Sequence, residues 1–355
     1  MESITRGSAP KVAPNPSANS AYTRYGCRWM FALLLAYGTG LTTPIGVVDN
    51  YGLTDATRAR YLPLKIYYPR QARSGGYPVV IFSHGSGGSK DGYGYLGRYW
   101  AENGYVVIHV THLEFSRIKF QSGKMLVSGS WVPIPEAAKE QMSGGGENGM
   151  LKNRVLDISL IIDSLPVITA AVPELEGRMD RTRIGVAGHS EGASTVMAVA
   201  GAVLQFPAWE TRAFGDSRIK AFIAMGPWPP GEGGFFEDSW ASVTRPILTM
   251  AGSKERTNGG TPKDPMLQIL RHMPSGGKFH VTVTGANHSD FGDDGLEGAP
   301  WHDFIERVGL AFWDTALLGS DPSAAGFDRA LAIDGIVDEE GLLSGAGAKG
   351  QLTSK

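Results

Sequence analysis

The sequence holds a single cysteine, Cys27, in 355 residues. One cysteine excludes an intramolecular disulfide, a zinc site built from several cysteines and a CxxC redox pair. An excess of charge of one sign is also missing, since 33 Lys and Arg face 35 Asp and Glu. This balance argues against a nucleic-acid partner, because such proteins normally carry a basic excess or a basic stripe. The hydrophobic share of 42% is typical of a globular protein.

No apolar run reaches the roughly 20 residues that span a bilayer, so we expect no membrane span in the mature chain. The run Trp29–Ala36 is short, follows Arg24 and Arg28, and leads into Ala36-Tyr37-Gly38, which has small residues at the −3 and −1 positions. This order is typical of a secretory signal. We expect export to the periplasm or the medium, with cleavage near Gly38; an uncleaved, cytoplasmic chain is the alternative.

From residue 60 onward, short β-branched runs alternate with longer amphipathic stretches. Runs such as Pro78–Phe82 are apolar throughout, which is typical of strands buried on both faces of a parallel sheet. Alternating strands and helices predict a mostly parallel sheet with right-handed crossovers. The predicted strands are Leu62–Tyr68, Tyr77–Ser83, Tyr105–Thr111, Arg183–Gly188, Ala221–Gly226, Pro246–Ala251 and Phe279–Thr284. The predicted helices are Tyr93–Asn103, Lys152–Leu165, Glu191–Val203, Pro265–Met273 and Asp303–Leu318.

These patterns divide the chain into three parts. Residues 1–40 predict a disordered N-terminus plus the signal segment, and residues 41–320 predict one α/β domain. Within that domain, residues 113–150 have little periodicity and are expected to form an insertion beside the active site. Residues 321–355 predict a C-terminal extension whose last ten residues are frayed.

The segment Gly188–Gly192 reads G-H-S-E-G and matches the G-x-S-x-G pattern of a nucleophile elbow. In a chain with 48 glycines the pattern alone is weak. Its position between a predicted buried strand and a predicted helix is the context that the elbow requires. We therefore predict that Ser190 is a nucleophile; a glycine-rich turn without chemistry is the alternative.

A serine hydroxyl needs a general base. His288 follows the last predicted strand, in a loop that can reach the carboxyl edge of the sheet where Ser190 lies. His302, at the start of a helix, is the second choice. His280 lies inside a strand and is expected to be structural.

The third member of such a group orients the imidazole and follows the nucleophile in chain order. Glu255 stands at the turn after the predicted strand Pro246–Ala251, so it is the first candidate. Asp264 is the alternative and Glu232 a weaker one, while a solvated turn at Glu255 stays open.

Acyl transfer also needs hydrogen-bond donors for the oxyanion. The backbone N–H of Glu191, directly after the nucleophile, is one predicted donor. The glycine-rich segment after the strand Tyr77–Ser83 offers the other, which we assign to the N–H of Ser86, with Gly87 as the fallback.

Several other side chains are candidates for a metal site, a cofactor site or a substrate pocket. His109 and His112 resemble a metal pair but lack a third ligand, and no nucleotide-binding spacing is present, so we expect neither a metal nor a cofactor. Trp228 is the best candidate for lining a substrate pocket. Trp131 and Trp240 are further aromatic candidates, and for each of the three packing is the more frequent role.

Together these motifs resemble the α/β-hydrolase superfamily, over residues 45–318. The stretches Leu64–Pro69, Phe82–Gly85 and Trp100–Val107 resemble bacterial relatives of platelet-activating-factor acetylhydrolase, often described as dienelactone-hydrolase-like. The resemblance implies an α/β-hydrolase fold and a serine esterase acting on a small-molecule or lipid-like ester.

Three departures from these relatives stand out. Dienelactone hydrolases use cysteine where this chain has Ser190. The acetylhydrolases place their acid after the strand matching Ala221–Gly226, where no Asp stands here. Glu191 replaces a common aromatic residue and puts an acidic residue at the expected floor of the pocket.

The same acyl-enzyme chemistry would also serve an acyltransferase, in which an alcohol outcompetes water. A catalytically silent domain of this fold, used for binding, is the alternative from another class. Nothing in the sequence indicates an oligomeric state.

Overall fold

A ten-stranded sheet forms the centre of the protein in the computed structural model. The structure describes residues 43–58, 60–112, 120–121, 124–127, 130–133, 147–206, 210–255, 265–292, 301–319, 326–327, 343–345 and 348–355. The predicted N-terminal segment, residues 1–40 with Cys27, lies outside them. No described helix is long and apolar enough to cross a membrane.

The strands and helices follow the predicted alternation. The strands are β1 Ile45–Asp55, β2 Arg60–Pro69, β3 Tyr77–Ser83, β4 Val106–Val110, β5 Phe120–Gln121, β6 Lys124–Val127, β7 Ser130–Pro133, β8 Met179–His189, β9 Val203–Gln205, β10 Thr211–Ala213, β11 Ile219–Met225, β12 Ile247–Gly252, β13 Lys278–Val283, β14 Leu343–Gly345 and β15 Ala348–Ser354. The α-helices are α1 Gly94–Glu102, α2 Glu147–Ala171, α3 Glu191–Ala200, α4 Pro265–His272 and α5 His302–Trp313. Short 3-10 turns and one π-turn, Asp314–Leu318, complete the described elements.

The strands of the central sheet lie in the order β1-β2-β4-β3-β8-β11-β12-β13-β15-β14. The six strands that lie from β4 to β13 in this order run parallel, and this arrangement confirms the predicted mostly parallel sheet. All seven predicted strands belong to it, with ends that differ by a few residues. Alternate residues of β3 enter different apolar clusters: Val79 and Ile81 pack with α2 and α3, whereas Val80 and Phe82 pack with α1 and α5. The side-chain alternation of a strand therefore explains why both faces are covered by helices.

Helix α2 is longer than its pattern predicts, because it continues through Pro166 to Ala171. A proline inside a helix removes one backbone hydrogen bond and normally ends the pattern. Leu165 and Ile168 on either side of it are fully buried. Their packing against the sheet holds the helix together across the proline.

The C-terminal residues differ from the expectation that they are frayed. Strand β15 pairs antiparallel with β13, and β14 pairs with β15. Pairing satisfies the backbone N–H and C=O groups that β13 would otherwise expose at the sheet edge. The polar, glycine-containing sequence of β15 gives little sign of a strand, because its pairing with β13 and β14 depends on residues far away in the sequence.

The predicted insertion, residues 113–150, is described only in part. Strands β5, β6 and β7 form a separate three-stranded antiparallel sheet within it. Its expected place beside the active site stays a prediction.

Candidate active site

The predicted nucleophile lies on a strained turn between β8 and α3. Ser190 has φ 56° and ψ −121°, and its N–H donates to the carbonyl of Met225 at 2.8 Å. Among the described residues, only Tyr93 shares a positive φ without being glycine. Such a backbone conformation costs roughly 1–3 kcal/mol and persists where the surroundings enforce it.

Close packing explains the two glycines of the motif. A Cβ at Gly192 would lie 1.9 Å from the carbonyl oxygen of Ser83, and one at Gly188 would lie 2.5 Å from the carbonyl oxygen of Gly192. The end of β3 therefore presses directly against the turn that carries Ser190. Any side chain at either position would push this turn out of place.

The structure brings the predicted base and the first candidate acid together. Nδ1 of His288 lies 2.6 Å from Oε1 of Glu255, whose Oε2 accepts the N–H of Gly252 at 3.0 Å. Because a carboxylate accepts hydrogen bonds, Nδ1 of His288 is the donor and Nε2 is left for proton transfer. The side chain of His288 is 43% exposed and that of Glu255 only 11%.

Gly226, after β11, leaves room for this pair. It has φ 60°, and a Cβ there would lie 2.7 Å from Oε1 of Glu255 and 2.9 Å from Nδ1 of His288. This position follows the strand after which related enzymes were expected to carry their acid. Glu255 thus reaches the same imidazole from the neighbouring strand β12.

The other candidates lie elsewhere. Asp264 is outside the described residues. Glu232 lies in a turn where its N–H donates to the carbonyl of Pro229. His302 stacks on Tyr95 at 3.8 Å, with Nε2 against the carbonyl of Gly292.

Two of the remaining histidines are structural. His280 is buried between the hydroxyls of Thr249 and Thr282, as expected for a strand residue. His109 packs between the rings of Tyr67 and Phe82, and burial lowers its pKa to about 4. Within the described ranges, no three His, Cys, Asp or Glu side chains are grouped as metal ligands.

The segment predicted to hold the oxyanion begins beside Ser190. A Cβ on Gly85 would lie 3.3 Å from Cβ of Ser190. The N–H of Gly85 donates to the hydroxyl of Tyr93 at 3.3 Å and is therefore engaged away from the predicted oxyanion hole. Ser86 follows and is exposed, while Gly87 has φ 69° in the same turn.

The carboxylate of Glu191 is buried and paired inside the protein. The residue is 3% exposed, and Oε2 pairs with Nη2 of Arg154 at 3.0 Å. Arg154 is fully buried and also donates to the carbonyl of His84 at 2.5 Å. A buried carboxylate without a nearby cation is costly, so the ion pair with Arg154 holds the charge of Glu191 in the interior.

Sequence reasoning missed two residues at the site, Tyr93 and His189. The hydroxyl of Tyr93 lies 2.8 Å from Nδ1 of His189, and Nε2 of His189 lies 2.9 Å from the carbonyl oxygen of His288. Burial and the nearby His288 lower the pKa of His189 to about 3, so its imidazole is neutral. His189 is a variable position of the motif and Tyr93 lies in an unremarkable polar turn, so no local signal marks either.

The tryptophans have different surroundings. Trp228 is half-buried, its N–H donates to Oγ of Ser194 at 3.0 Å, and its ring covers Gly233. Trp240 is fully buried and stacks on Phe235, so it packs in the core. Trp131 lies where side chains are not described.

Comparison with solved structures identifies the fold. A ferulic acid esterase from Streptomyces cinnamoneus matches 82% of this chain and 97% of its own, with a TM-score of 0.55 and 20% sequence identity. The chain has the α/β-hydrolase fold, as its sequence predicted.

The sequence itself matches a narrower group. The family described as platelet-activating factor acetylhydrolase, isoform II, matches residues 60–295, and the chain belongs to this family. Platelet-activating factor acetylhydrolases from Cavia porcellus and Bos taurus are 26% and 24% identical in alignments of 236 residues, and each alignment covers 61% of this chain. The chain spans about half the length of these relatives, 48% in each case.

Proposed function

We propose that the protein hydrolyses carboxylic esters through an acyl-enzyme on Ser190. The observation that carries this proposal is the 2.6 Å hydrogen bond between Glu255 and His288, beside the strained turn of Ser190. Membership of an acetylhydrolase family supports ester hydrolysis independently.

In the proposed reaction, Oγ of Ser190 attacks the ester carbonyl carbon and its proton passes to Nε2 of His288. Glu255 holds the imidazole by Nδ1 and stabilises its positive charge. The backbone N–H groups of Ser86 and Glu191 donate to the oxyanion of the tetrahedral intermediate.

The intermediate then collapses. The C–O bond to the alcohol breaks, and the alcohol leaves with the proton from His288. Water next adds to the acyl carbon while His288 takes its proton. The acid is released, and Ser190 regains its hydrogen.

The family name and one side chain support a proposal for the substrate class. The relatives are named for removing an acetyl group from platelet-activating factor. We propose a small-molecule or lipid-like ester, with the ring of Trp228 lining its site. The inward-facing carboxylate of Glu191 leaves such a site without that negative charge.

Fluorophosphonate labelling of the wild type and of Ser190→Ala tests the proposal, followed by p-nitrophenyl esters of increasing acyl length. We expect label and ester cleavage only with Ser190 present. A folded wild type that takes no label and cleaves no ester would instead favour the silent binding domain. Product partition with added alcohol separates a hydrolase from an acyltransferase.

We also propose that the chain is exported after cleavage near Gly38. The basic flank and the short apolar run Trp29–Ala36 support this. N-terminal sequencing of the protein recovered from the producing cells should begin just after the cleavage point. Recovery of the full chain in the cytoplasm would overturn it.

A further inference from the structure

Three loops of the proposed site are joined by one chain of hydrogen bonds. It begins at the N–H of Gly85, reaches the hydroxyl of Tyr93 at 3.3 Å and continues to Nδ1 of His189 at 2.8 Å. From Nε2 of His189 it ends on the carbonyl oxygen of His288 at 2.9 Å. The oxyanion segment, the nucleophile turn and the loop of the base are therefore connected through two side chains.

The direction of every bond in this chain is fixed. A carbonyl oxygen only accepts, so Nε2 of His189 carries the hydrogen and Nδ1 is the acceptor. The hydroxyl of Tyr93 must then donate to Nδ1, and its oxygen accepts the N–H of Gly85. One tautomer of a neutral His189 satisfies all four groups.

The backbone of Tyr93 is held in an unusual conformation for this purpose. It has φ 59° and ψ 30°, a left-handed conformation that bulky residues rarely adopt. Its side chain is 8% exposed and packs against Phe82, with ring centroids 4.7 Å apart. Among the described residues other than glycine, Tyr93 and Ser190 alone have a positive φ, and both lie at the proposed site.

We propose that Tyr93 and His189 are positioning residues that hold the oxyanion segment and His288 in register with Ser190. The N–H of Gly85 is engaged by Tyr93, which leaves the next amide, that of Ser86, as the proposed donor to the oxyanion. The carbonyl of His288 is held by His189, so its side chain starts from a fixed backbone. This proposal rests on the proposed esterase function.

Tyr93→Phe removes only the hydroxyl and keeps the ring against Phe82. We expect kcat to fall about tenfold, less than the 10²–10³ typical for loss of an oxyanion donor itself, with KM within about twofold. Affinity for a phenylboronic acid, which forms a tetrahedral adduct with Ser190, should fall by the same factor as kcat. If the Tyr93 hydroxyl only stabilised the fold, its loss would change neither the kcat of the folded enzyme nor its affinity for the boronic acid.

Tyr105→Phe is the matched control. Tyr105 is fully buried, and its hydroxyl donates to Asp314 at 2.6 Å, outside the chain of bonds described above. We expect a comparable loss of stability in urea unfolding and unchanged kcat and boronate affinity. Equal activity of both variants and the wild type would overturn the proposal.

Nitrogen-15 NMR of labelled histidine gives a readout that needs no activity. His189, assigned by His189→Gln, should carry its hydrogen on Nε2 in the wild type and in Tyr93→Phe, because the carbonyl of His288 remains as the acceptor. In Tyr93→Phe the Nδ1 resonance alone should shift, because Nδ1 loses the hydrogen bond from the hydroxyl. Hydrogen on Nδ1 in the wild type would overturn the proposed chain even if the enzyme is active. An inactive wild type with the expected tautomer would instead reject the esterase function alone.

Discussion

Two groups of serine, histidine and carboxylate stand out in the described part of the chain, and in each the histidine is bonded through Nδ1 to the carboxylate. In the interior, Oγ of Ser83 lies 2.9 Å from Nε2 of His112, whose Nδ1 lies 2.9 Å from Asp157. At the sheet edge, His288 and Glu255 are paired beside Ser190. The interior group even has the tautomer that a catalytic histidine needs.

Their surroundings separate the two groups. Ser83, His112 and Asp157 are at most 1% exposed, whereas Ser190 is half-buried and the His288 side chain 43% exposed. Ser83 ends an extended strand, while Ser190 stands on a strained turn before a helix, whose N-terminus favours negative charge. Residue type and hydrogen bonding therefore do not define a nucleophile; access and the local backbone do.

The carboxylates differ as well. Asp157 also accepts two bonds from Arg60, at 3.0 and 2.7 Å, and one from Arg58 at 2.8 Å. Burial raises the pKa of Asp157, but the hydrogen bond from His112 and the charge of Arg60 outweigh this and lower it. This group is a buried ionic network that joins β2, the end of β3, the segment after β4 and α2.

Exchanging the two serines for alanine gives the largest expected contrast. Ser190→Ala should lose at least about 10⁴-fold in kcat, because the covalent route is gone. Ser83→Ala should keep fluorophosphonate labelling and ester cleavage, with a loss of stability of about 1 kcal/mol for one buried hydrogen bond. Labelling that survives Ser190→Ala and disappears in Ser83→Ala would assign the nucleophile to Ser83.

The two acids should separate activity from stability. Glu255→Gln should lower kcat by about 10²–10⁴-fold with little change in unfolding free energy, because Glu255 orients the base. Asp157→Asn should leave buried arginines without their anion and cost about 3–5 kcal/mol, while folded molecules keep their kcat. Urea unfolding and active-site titration measure both quantities.

Asp264→Ala, assayed for ester hydrolysis, is the control for Glu255→Gln. We expect it to keep activity, since Glu255 holds the imidazole. Activity that survives Glu255→Gln and is lost in Asp264→Ala would assign the acid to Asp264.

Gly226→Ala tests the alignment of Glu255 and His288 without removing any functional atom. The new methyl would press on both Glu255 and His288, at a backbone φ that alanine rarely adopts. We expect kcat to fall by about ten- to a hundredfold, since the imidazole loses its alignment. Gly231→Ala is the matched control, because it has φ 92° but open space around the added Cβ. Equal activity of the two variants would contradict the proposed alignment.

The sequence predicted the part of the site that depends on strand ends. Ser190, Glu255 and His288 each follow a buried strand, and parallel strands bring their carboxyl ends to one edge. Tyr93, Arg154 and the strand β15 were not predicted, because their roles depend on contacts between distant segments. Neither the left-handed backbone conformation of Tyr93 nor the hydrogen bond from Arg154 to a carbonyl 70 positions away produces a local pattern in the sequence.

Buried imidazoles should also make the protein sensitive to acid. Burial lowers the pKa of His109 to about 4 and that of His189 to about 3, and burial with the charge of Arg154 lowers that of His84 well below its usual value. The unfolded chain binds protons on these side chains below about pH 6.5, and the folded protein does not. The free energy of unfolding should therefore fall as pH drops from about 6.5 toward 4.5, by up to about 1.4 kcal/mol per pH unit for each histidine.

His109→Gln isolates one of these contributions, because glutamine keeps an N–H donor but does not titrate. Urea unfolding between pH 7.5 and 4.5 should give a shallower decline for this variant than for the wild type, by about one bound proton. Carboxylates titrate alike in the two proteins, so the difference between the two slopes reports on His109. Identical pH slopes would mean that His109 is charged in the folded protein, which its place between two aromatic rings opposes.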